Sequence, residues 1–393
     1  MEPMLRFKAD DGSEFPKWEE HNLSMFLDEN RLRNVDLKFG KKDVLSISGD
    51  YGVVNQIEFQ GRSFAGKSVQ QYHILPHNGI VYTKSPLKAN PYGIIKANKG
   101  VAGIVSTLYA VFDCKNNVIP EFVDAYFDLD ERLNKYLKPL VNIGAKHDMK
   151  ISNERFLSGR VCFPSLPEQR KIASFLSTID EIIQSTQSEL LAWQERKKGV
   201  MQKIFNREVR FKADDGSEFP EWEEKRLGEV CEYGKRHGTG QNYVGTENMF
   251  SAFGGVIIEN TESECNGILY SSGDILMSNI RPYLKKVWLA DREGVCSTDV
   301  LVFRPIKIES EYLYCLIASD FFITKVMSAA KGSKMPRGDK KHIMEIPVSV
   351  PSLPEQRKIA DCLSSLDDVI NQIKAELSAW KEFKKGLLQQ MFV

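Results

Sequence analysis

The stretch Pro164-Ser165-Leu166-Pro167-Glu168-Gln169-Arg170-Lys171-Ile172-Ala173 occurs twice in the chain, the second time as residues 351–360. The likeness continues, because residues 164–205 and 351–392, aligned without a gap at an offset of 187, match at 24 of 42 positions. Each stretch opens with a Ser-x-x-Glu pattern, which is typical of a helix capping box, and has no proline after its first turn. We therefore expect two long helices, each begun by a capping box.

Apolar residues within each stretch recur at alternating steps of four and three residues, which is the pattern of a coiled-coil seam. Lys197 and Lys384 occupy the same polar position of this seam, where they would fix the register of the pair. A helix with such a seam needs a partner, and the other copy is the nearest candidate. The predicted seam consists of Ile172, Leu176, Ile179, Ile183, Leu190 and Trp193 in the first copy and Ile359, Leu363, Leu366, Ile370, Leu377 and Trp380 in the second.

A shorter block opens each half of the chain. Residues 6–16 recur identically at 210–220, and both copies continue with Trp-Glu-Glu after one further residue. The order is therefore block, variable segment, helix, twice over. Because this order closes on itself after two rounds, with a helix always followed by a block, it is a circular arrangement that is cut once. It predicts two similar halves about a pseudo-twofold axis, antiparallel helices, and chain ends that lie close together.

The variable segments share a skeleton of short β-branched and aromatic runs bounded by Gly, Pro and Asn, which indicates strands and turns. Runs at 78–83 and 105–112 correspond to runs at 273–278 and 296–303. Apolar spacing then predicts one helix at 121–137 and one at 311–330. The predicted fold class is α+β, with two such domains separated by an antiparallel coiled coil of the two long helices.

These observations predict a division of the chain into two domains and two spacer helices. The predicted segments are a first domain at 1–163 with its block at 6–20, a first helix at 164–206, a second domain at 207–350 with its block at 210–224, and a second helix at 351–393.

Composition excludes several classes of protein. Lys plus Arg and Asp plus Glu each number 53, so any nucleic-acid surface must be a local patch rather than a property of the whole chain. The seven cysteines contain no C-x-x-C pair, which favours a reducing cytoplasm and argues against a disulfide framework. We expect no metal site, no signal peptide and no membrane span, since no apolar run approaches about 20 residues.

Polar, basic loops are the candidate DNA-contacting segments, because phosphate contacts and base-edge contacts need Lys, Arg, Asn, Ser and Tyr. One of them is the acid-free stretch at 84–99, which also carries Lys96 and Lys99. For any single loop, a merely solvated charged surface is an equally good interpretation. The predicted DNA-contacting residues are Lys67, Lys84, Ser85, Lys88, Asn90, Tyr92 and Lys146 in the first half and Arg236, His237, Asn242, Tyr243, Asn279, Arg281, Tyr283, Lys285, Lys286, Lys331, Ser333, Lys334 and Arg337 in the second.

Residues 61–68, Gly-Arg-Ser-Phe-Ala-Gly-Lys-Ser, match the phosphate-binding P-loop pattern in full. A nucleotide site there would place Lys67 on phosphates and Ser68 on Mg²⁺. The context argues against it, because residues 69–75 are short, β-leaning and stopped by Pro76, so a Gly-rich turn is the better interpretation. A P-loop NTPase stays open as one alternative function, and a structural coiled-coil scaffold as another.

The whole chain resembles the specificity subunit of type I restriction-modification systems. The resemblance is carried by the duplicated Ser-Leu-Pro-Glu-Gln-Arg-Lys-Ile-Ala helix start, the Lys-Lys-Gly…Phe endings at 197–205 and 384–392, and the block ending Phe-Pro-x-Trp-Glu-Glu. The second block is followed by Leu-Gly-Glu-Val at 227–230, whereas the first is followed by Asn-Leu-Ser-Met at 22–25, a small departure.

This resemblance implies a subunit without its own catalysis that carries two target-recognition domains, each reading one half of an asymmetric, two-part DNA sequence. It implies that the helices space these domains and offer docking surfaces to two methyltransferase subunits, with restriction/translocase subunits completing the complex. S-adenosylmethionine, ATP and Mg²⁺ would then bind to those partners, and no cofactor to this chain.

The predicted length of the helices agrees with that role. From Ile172 to Ile204 the seam rises over 32 residue steps, or roughly 48 Å at about 1.5 Å per step. Major grooves on one face of B-DNA recur about every 34–36 Å. We therefore expect helices of this length to set the unread spacer between two half-sites about one turn apart.

Overall fold

The two repeated stretches form long helices in the computed structural model of the chain, which describes residues 3–66, 68–87, 89–143, 149–252, 254–258 and 264–392. Helix α5 runs over Leu166–Phe205 and helix α10 over Leu353–Met391. The prediction of two long helices is confirmed. Within the described ranges, no helix is both long enough and apolar enough to cross a bilayer.

The chain divides into two compact units, and both boundaries fall within the long helices. The first unit comprises Met1–Gln187 and Ala375–Val393, and the second comprises Ser188–Lys374. Each unit therefore contains one variable segment, a part of α5 and a part of α10.

The first unit is built of short antiparallel strands and short helices. Its largest sheet has the order β2 (Leu27–Asn30), β9 (Ala110–Cys114), β6 (Ile80–Tyr82) and β7 (Ile95–Ala97). The remaining strands pair as β1 (Glu19–Asn22) with β12 (Arg160–Phe163), β3 (Leu45–Ser48) with β4 (Gly52–Asn55), β5 (His73–Leu75) with β8 (Gly103–Val105), and β10 (Asn142–Ile143) with β11 (Met149–Lys150). Its short helices are α1 (Gln56–Gln60), α2 (Pro120–Tyr126), α3 (Asp130–Leu137) and α4 (Asn153–Leu157).

The second unit has the same kinds of element. Its four-stranded sheet has the order β14 (Cys231–Tyr233), β20 (Val300–Pro305), β17 (Ile275–Ser278) and β18 (Val287–Leu289). A second sheet has the order β15 (His237–Gly240), β16 (Cys265–Tyr270) and β19 (Gly294–Cys296), and β13 (Glu223–Arg226) pairs with β21 (Pro347–Val350). Its short helices are α6 (Leu227–Val230), α7 (Ser310–Ala318), α8 (Asp320–Ser328) and α9 (Lys340–Glu345).

The two four-stranded sheets are equivalent. Ile80 of β6 lies opposite Phe112 of β9, and Ile275 of β17 lies opposite Phe303 of β20. The strand runs that were paired by sequence thus occupy matching places in the two units. The predicted α+β class, with two similar halves, is confirmed.

A stack of aromatic rings forms the middle of the first unit's core. The ring of Phe156 in α4 lies 4.9 Å from that of Tyr82 and 4.8 Å from that of Phe112, measured between centroids. All three side chains are fully buried. The stack holds α4 against the sheet that carries the β6–β7 loop. In the second unit, buried Ile343 places α9 in the core cluster that contains β17 and β18.

The prediction of one helix at 121–137 and one at 311–330 is wrong, because each is two helices. In the second unit, the hydroxyl of Ser319 accepts from the backbone N–H of Phe322 and donates to the carbonyl oxygen of Leu316. This side chain ends α7 and caps α8. In the first unit the break between α2 and α3 includes Leu129, whose backbone is extended.

The prediction of capping boxes is also wrong. Within the described part of the chain, the buried hydroxyls of Ser165 and Ser352 have no hydrogen-bond partner. The carboxylate of Glu168 is fully buried and accepts hydrogen bonds of 3.1 and 2.8 Å from the guanidinium of Arg6. The Ser-x-x-Glu pattern therefore marks where the block docks on the helix.

The second copy of the motif makes the same contacts. Arg210 donates to the buried carboxylate of Glu355 at 3.2 and 3.0 Å. The next motif residue binds the variable segment, since the side-chain oxygen of Gln169 accepts from the N–H of Ile119, just before α2. Gln356 makes the matching bond in front of α7. Each helix start thus binds both the block and the variable segment of its own half.

The two helix segments within the first unit run antiparallel. Phe163, just before α5, and Phe392, just after α10, both pack on Tyr126. Their ring centroids lie 4.9 Å and 5.6 Å, respectively, from the ring centroid of Tyr126. Further from these ends, Lys384 of α10 pairs with Asp180 of α5 at 2.7 Å. The two chain ends also meet, because the N–H of Leu5 donates to the carbonyl oxygen of Gln390. The predicted proximity of the ends is confirmed.

The helix segments within the second unit are also antiparallel. Ile204, near the end of α5, and Ile359, near the start of α10, share one buried cluster. Lys197 pairs with Asp367 at 2.5 Å, at the two repeat positions that Lys384 and Asp180 occupy in the other unit. Both seam lysines thus bond to the facing helix. Among predicted seam residues, the structure buries Ile172, Leu176, Ile179, Ile359, Leu363, Ile370 and Leu377 and half-buries Ile183, Leu190, Trp193, Leu366 and Trp380.

A network of ion pairs joins the helices to the variable segment in the first unit. Asp128, between α2 and α3, pairs with Lys384 at 2.7 Å and with buried Lys96 of β7. Burial raises the pKa of the Asp128 carboxyl, but Lys96 and Lys384 outweigh it and hold that pKa well below its usual range. Lys99 pairs with Asp124 at 2.9 Å and extends the network.

Replacing Arg210 by alanine should lower the free energy of unfolding by about 2–4 kcal/mol, because it strands the buried Glu355 carboxylate. Urea denaturation of the full chain measures this change. The matched control is Lys212→Ala, which breaks only the exposed pair with Glu218 and should change stability little. Equal effects of the two variants would contradict the anchor role of Arg210.

Replacing Asp128 by asparagine should lower stability at neutral pH by about 2–4 kcal/mol, because Lys96 and Lys384 lose their shared carboxylate. Since the folded-state pKa of Asp128 is depressed, its contribution is fully present above the unfolded-state pKa of about 3.9 and is lost as pH falls further. Denaturation at a series of pH values should therefore show the two proteins converging below about pH 4. A constant gap down to strongly acidic pH would contradict this assignment.

Candidate nucleic-acid interface

Each unit has one hairpin of its four-stranded sheet that ends in an irregular loop. The loop joins β6 to β7 over residues 83–94 in the first unit and joins β17 to β18 over residues 279–286 in the second. Because the sheets are equivalent, these loops are matched parts of the two units. They carry many of the predicted DNA-contacting residues.

The second unit's loop turns on a short 3-10 helix at Pro282–Leu284. On either side, Arg281 and Lys285 have φ angles of 51° and 52°, a left-handed conformation that is costly for residues other than glycine. The surroundings hold this backbone in place. Leu284 accepts through its carbonyl oxygen from the N–H of Ala252 at 2.9 Å, and Pro282 is buried.

A second basic loop, residues 331–338, packs against the first. The N–H of Arg281 donates to the carbonyl oxygen of Pro336 at 2.8 Å. Arg337 forms an isolated β-bridge with Ile280 and another with Lys331. The structure therefore brings together two loops that are about 50 residues apart in the sequence.

Many of the cations in these two loops are already bonded inside the unit. The bonded pairs are Lys285 with Asp320, Lys286 with the carbonyl oxygen of Thr246 at 2.7 Å, Lys331 with Asp339 at 2.8 Å, and Arg337 with Asp299 at 3.2 Å. By contrast, Arg281, Tyr283, Ser333 and Lys334 are exposed, and the described residues offer their side chains no hydrogen-bond or ion-pair partner.

Asn279, at the base of the hairpin loop, is an unusual buried residue. Only 7% of it is exposed, and its side-chain oxygen has no hydrogen-bond partner in the described ranges. A Cβ atom at Gly338 would lie 2.9 Å from this oxygen, so the second loop packs directly on the amide. Buried polar groups are nearly always hydrogen-bonded, and an exception such as this oxygen, or that of Asn90 in the first unit's loop, costs stability.

The remaining candidates of the second unit lie around the three-stranded sheet. Arg236 and His237 are exposed at the start of β15. Asn242 donates from its side chain to the carbonyl oxygen of Glu293, and Tyr243 is half-buried. Across the described chain, no side-chain hydrogen bond joins these four candidates to the hairpin loop.

In the first unit, Lys84 lies at the start of the loop with a φ of 49°. Burial lowers the pKa of its ammonium group, which donates to the side-chain oxygen of Asn153 at 2.5 Å. Asn153 in turn donates to the carboxylate of Glu29 at 2.6 Å, and Arg31 binds the same carboxylate at 2.7 Å. Lys84 is thus the first member of a polar chain at the loop.

Sequence reasoning missed the other members of this chain. Asn153 begins α4, and Glu29 and Arg31 lie at the end of β2. The available signal for Asn153 was position, since α4 and α9 each come just before the strand that leads into a long helix, whereas the sequence offered no signal for Glu29 and Arg31.

The other first-unit candidates have internal roles or lie outside the described residues. Asn90 is buried and donates to Asp130 at 2.6 Å, and Ser85 donates to the carbonyl oxygen of Thr83 at 3.2 Å. Tyr92 is half-buried and accepts through its backbone oxygen from the hydroxyl of Tyr82. Lys67, Lys88 and Lys146 lie outside the described residues.

The acid-free stretch at 84–99 is less available to DNA than its sequence indicates. Lys96 is 7% exposed and bonded to Asp128, while Lys99 is paired with Asp124 and, at 3.6 Å, with Asp180. Its two last cations therefore hold the unit together, which corrects the interpretation of the stretch as one basic surface.

The P-loop pattern at 61–68 has the wrong surroundings. It follows helix α1 rather than a strand, and Gly61 ends that helix with a φ of 74°. No helix follows it within the described residues 68–87. A phosphate cradle needs a strand before the loop and a helix after it. Likewise, the described residues contain no group of three or more His, Cys, Asp or Glu side chains placed to hold a metal ion.

Comparison with protein families identifies the kind of protein. The family of type I restriction modification DNA specificity domains matches residues 40–192 and 220–379. These two ranges, one in each half, cover well over half of the chain. The chain belongs to this family, and its role is DNA sequence specificity. The comparisons support neither alternative function.

Individual relatives agree with this family. The chain is 25% identical over 317 residues to the type I restriction enzyme MjaVIII specificity subunit of Methanocaldococcus jannaschii, covering 74% of this chain and 73% of that protein. It is 29% identical over 127 residues to the EcoDI specificity subunit of Escherichia coli, covering 31% and 28% of the two chains.

Two solved structures share the fold. The S subunit of a type I restriction-modification system from M. genitalium superposes with a TM-score of 0.58 at 17% identity, over 100% of this chain and 99% of that one. A chain from a study of complex assembly and conformational transition of the type I R-M system gives a TM-score of 0.51 at 18% identity, over 96% of each chain.

Replacing Asn279 by leucine should leave the free energy of unfolding unchanged or raise it by up to about 1 kcal/mol, because it removes an unsatisfied buried amide at similar volume. The same variant should weaken DNA recognition if Asn279 serves the loop. Urea denaturation and DNA binding of the full chain measure the two effects. Gly338→Ala is the contrasting variant and should destabilise the loop, since its Cβ atom would clash with Asn279. A clear loss of stability in N279L would contradict the assignment.

Proposed function

We propose that this chain is the specificity subunit of a type I restriction-modification complex and that it binds an asymmetric, two-part DNA target, one part with each unit. The observation that carries this proposal is the matched pair of hairpin loops at 83–94 and 279–286. Their scaffold is the same in both units, whereas their side chains differ. Equal scaffolds with different base-reading side chains suit a target whose two parts differ in sequence.

The chain would supply recognition and assembly, and its partners the chemistry. S-adenosylmethionine, ATP and Mg²⁺ would bind to methyltransferase and restriction/translocase subunits, and the methyltransferase would modify adenine. The named relatives are specificity subunits, which supports this division of labour.

The repeated helices would be the docking surfaces for two methyltransferase subunits. Two copies of one partner need two equivalent surfaces. The duplicated sequence provides them, because each repeat has the same helix start and the same block bound to it. The exposed faces of α5 and α10 are the surfaces we propose.

We place the protein in the cytoplasm, where host DNA would be its ligand. The seven cysteines are all in the free thiol form, which suits a reducing compartment.

Mapping methylated adenines in the host genome tests the proposed function. Sites that are modified in a strain with this chain, and unmodified in a strain without it, should share one asymmetric motif with two parts and an unread spacer. The matched control keeps the chain and removes the methyltransferase gene, which should abolish the same sites. A palindromic or contiguous motif, or no dependence on the chain, would refute the proposal.

A further inference from the structure

Within the proposed function, on which this inference rests, we propose that Arg281 and Tyr283 read the second unit's part of the DNA target. Lys285 and Lys286, which are equally cationic neighbours in the sequence, are supports that hold the reading turn in shape. The proposal divides one basic segment into readers and supports on the basis of its contacts.

The supports are identified by where their ammonium groups bond. Lys285 pairs with Asp320 at the first turn of α8, and Lys286 donates to the carbonyl oxygen of Thr246 at 2.7 Å. Both partners belong to the same unit but to different segments of it. A lysine that contacts a DNA phosphate would have to give up such a bond, so these two cations are poorly placed for that role.

The turn is held on several sides in a conformation that it would not keep alone. Two residues of five, Arg281 and Lys285, have left-handed backbone, which is a strained conformation for residues other than glycine. The backbone bonds from Arg281 to Pro336 and from Ala252 to Leu284 offset that strain. Strained backbone that is held from outside in this way is a feature of binding sites whose shape is formed in advance.

The readers are the two side chains of the turn that are exposed to solvent and take no part in holding it. Tyr283, at the middle of the turn, is 49% exposed, and Arg281 is exposed beside it. The described residues give neither side chain a hydrogen-bond partner. An arginine fork matches the O6 and N7 atoms of guanine, and a tyrosine offers an apolar ring and one hydroxyl. A rigid turn that presents both loses little conformational entropy on binding.

The first unit uses a different arrangement at the matched place. Its Lys84 is also left-handed, but the ammonium group bonds to Asn153 within the unit. The readers of the second unit therefore have no direct counterpart in the first unit, and replacing them should change base recognition in only one half of the target.

The experiment uses the full chain together with its methyltransferase partner in the host, and the wild-type methylation map defines both half-sites. Arg281→Ala and Tyr283→Ala should each relax recognition of one or more bases in one half-site, with discrimination falling roughly 10- to 100-fold. The other half-site and the spacer should be unchanged in the same map. Unfolding in urea should match wild type, since both side chains are exposed.

Lys285→Ala and Lys286→Ala are the matched controls. They should lower the extent of methylation and leave the recognised bases of both half-sites as they are. In binding assays with duplex DNA carrying the mapped target, neither variant should change the dependence of affinity on salt. A phosphate contact would contribute a slope of about 0.9 in log affinity against log salt, and losing it would be visible.

Two results would overturn the inference. One is a map in which R281A and Y283A keep both half-sites intact; the other is a salt slope that falls in K285A or K286A. Either result leaves the proposed function standing as long as methylation depends on the chain. A target that does not depend on the chain at all would instead refute the proposed function.

Discussion

A carboxylate that has no contact with water lies in the first turn of each long helix. Glu168 and Glu355 are both 0% exposed, and a buried charge without a partner costs several kcal/mol. Each is therefore bound by an arginine from the block that opens its own half. Because the neighbouring glutamine binds the residue before α2 or α7, the helix start fastens three segments at one point. The rest of each unit depends on this junction, and the near identity of the repeated motifs follows from it.

Charge pairing explains how a neutral chain can carry a local DNA surface. Many of its charged side chains form ion pairs within the chain, as Lys197 and Lys384 do with Asp367 and Asp180 of the facing helix. In the first unit the pairing extends through Asp128 to Lys96, so the variable segment is held on the helices by ion pairs as well as by apolar contacts. Within the two contacting loops of the second unit, the exposed cations without an internal partner among the described residues are Arg281 and Lys334, so contacts matter more there than the number of basic residues.

The two contacting loops of the second unit show why composition alone could group the candidate residues without ranking them. Composition grouped Arg281, Tyr283, Lys285 and Lys286 correctly as one polar segment. It could not tell the two lysines from Arg281 and Tyr283, because the partners of the lysines are Asp320 and Thr246, which lie in other parts of the chain. Composition also could not reveal the contact between the two loops of the second unit. That contact is made by backbone atoms, which are the same for every type of residue.

The sequence by itself determined the two long helices, the matched strand skeleton, the α+β class and the family. Helical periodicity and a repeated motif are local signals that survive without knowledge of the fold. The tertiary structure decided three further matters. It turned Glu168 from an expected cap into the partner of Arg6, divided each of the helices predicted at 121–137 and 311–330 into two, and paired Lys96 and Lys99 of the basic stretch with carboxylates of the same unit. For the glutamate and the two lysines, a polar side chain had a local option and a distant one, and the distant partner prevailed because burial makes an unpaired charge or an unsatisfied polar group costly. The break between α7 and α8 is instead local, since Ser319 bonds to Leu316 and Phe322, each three residues away.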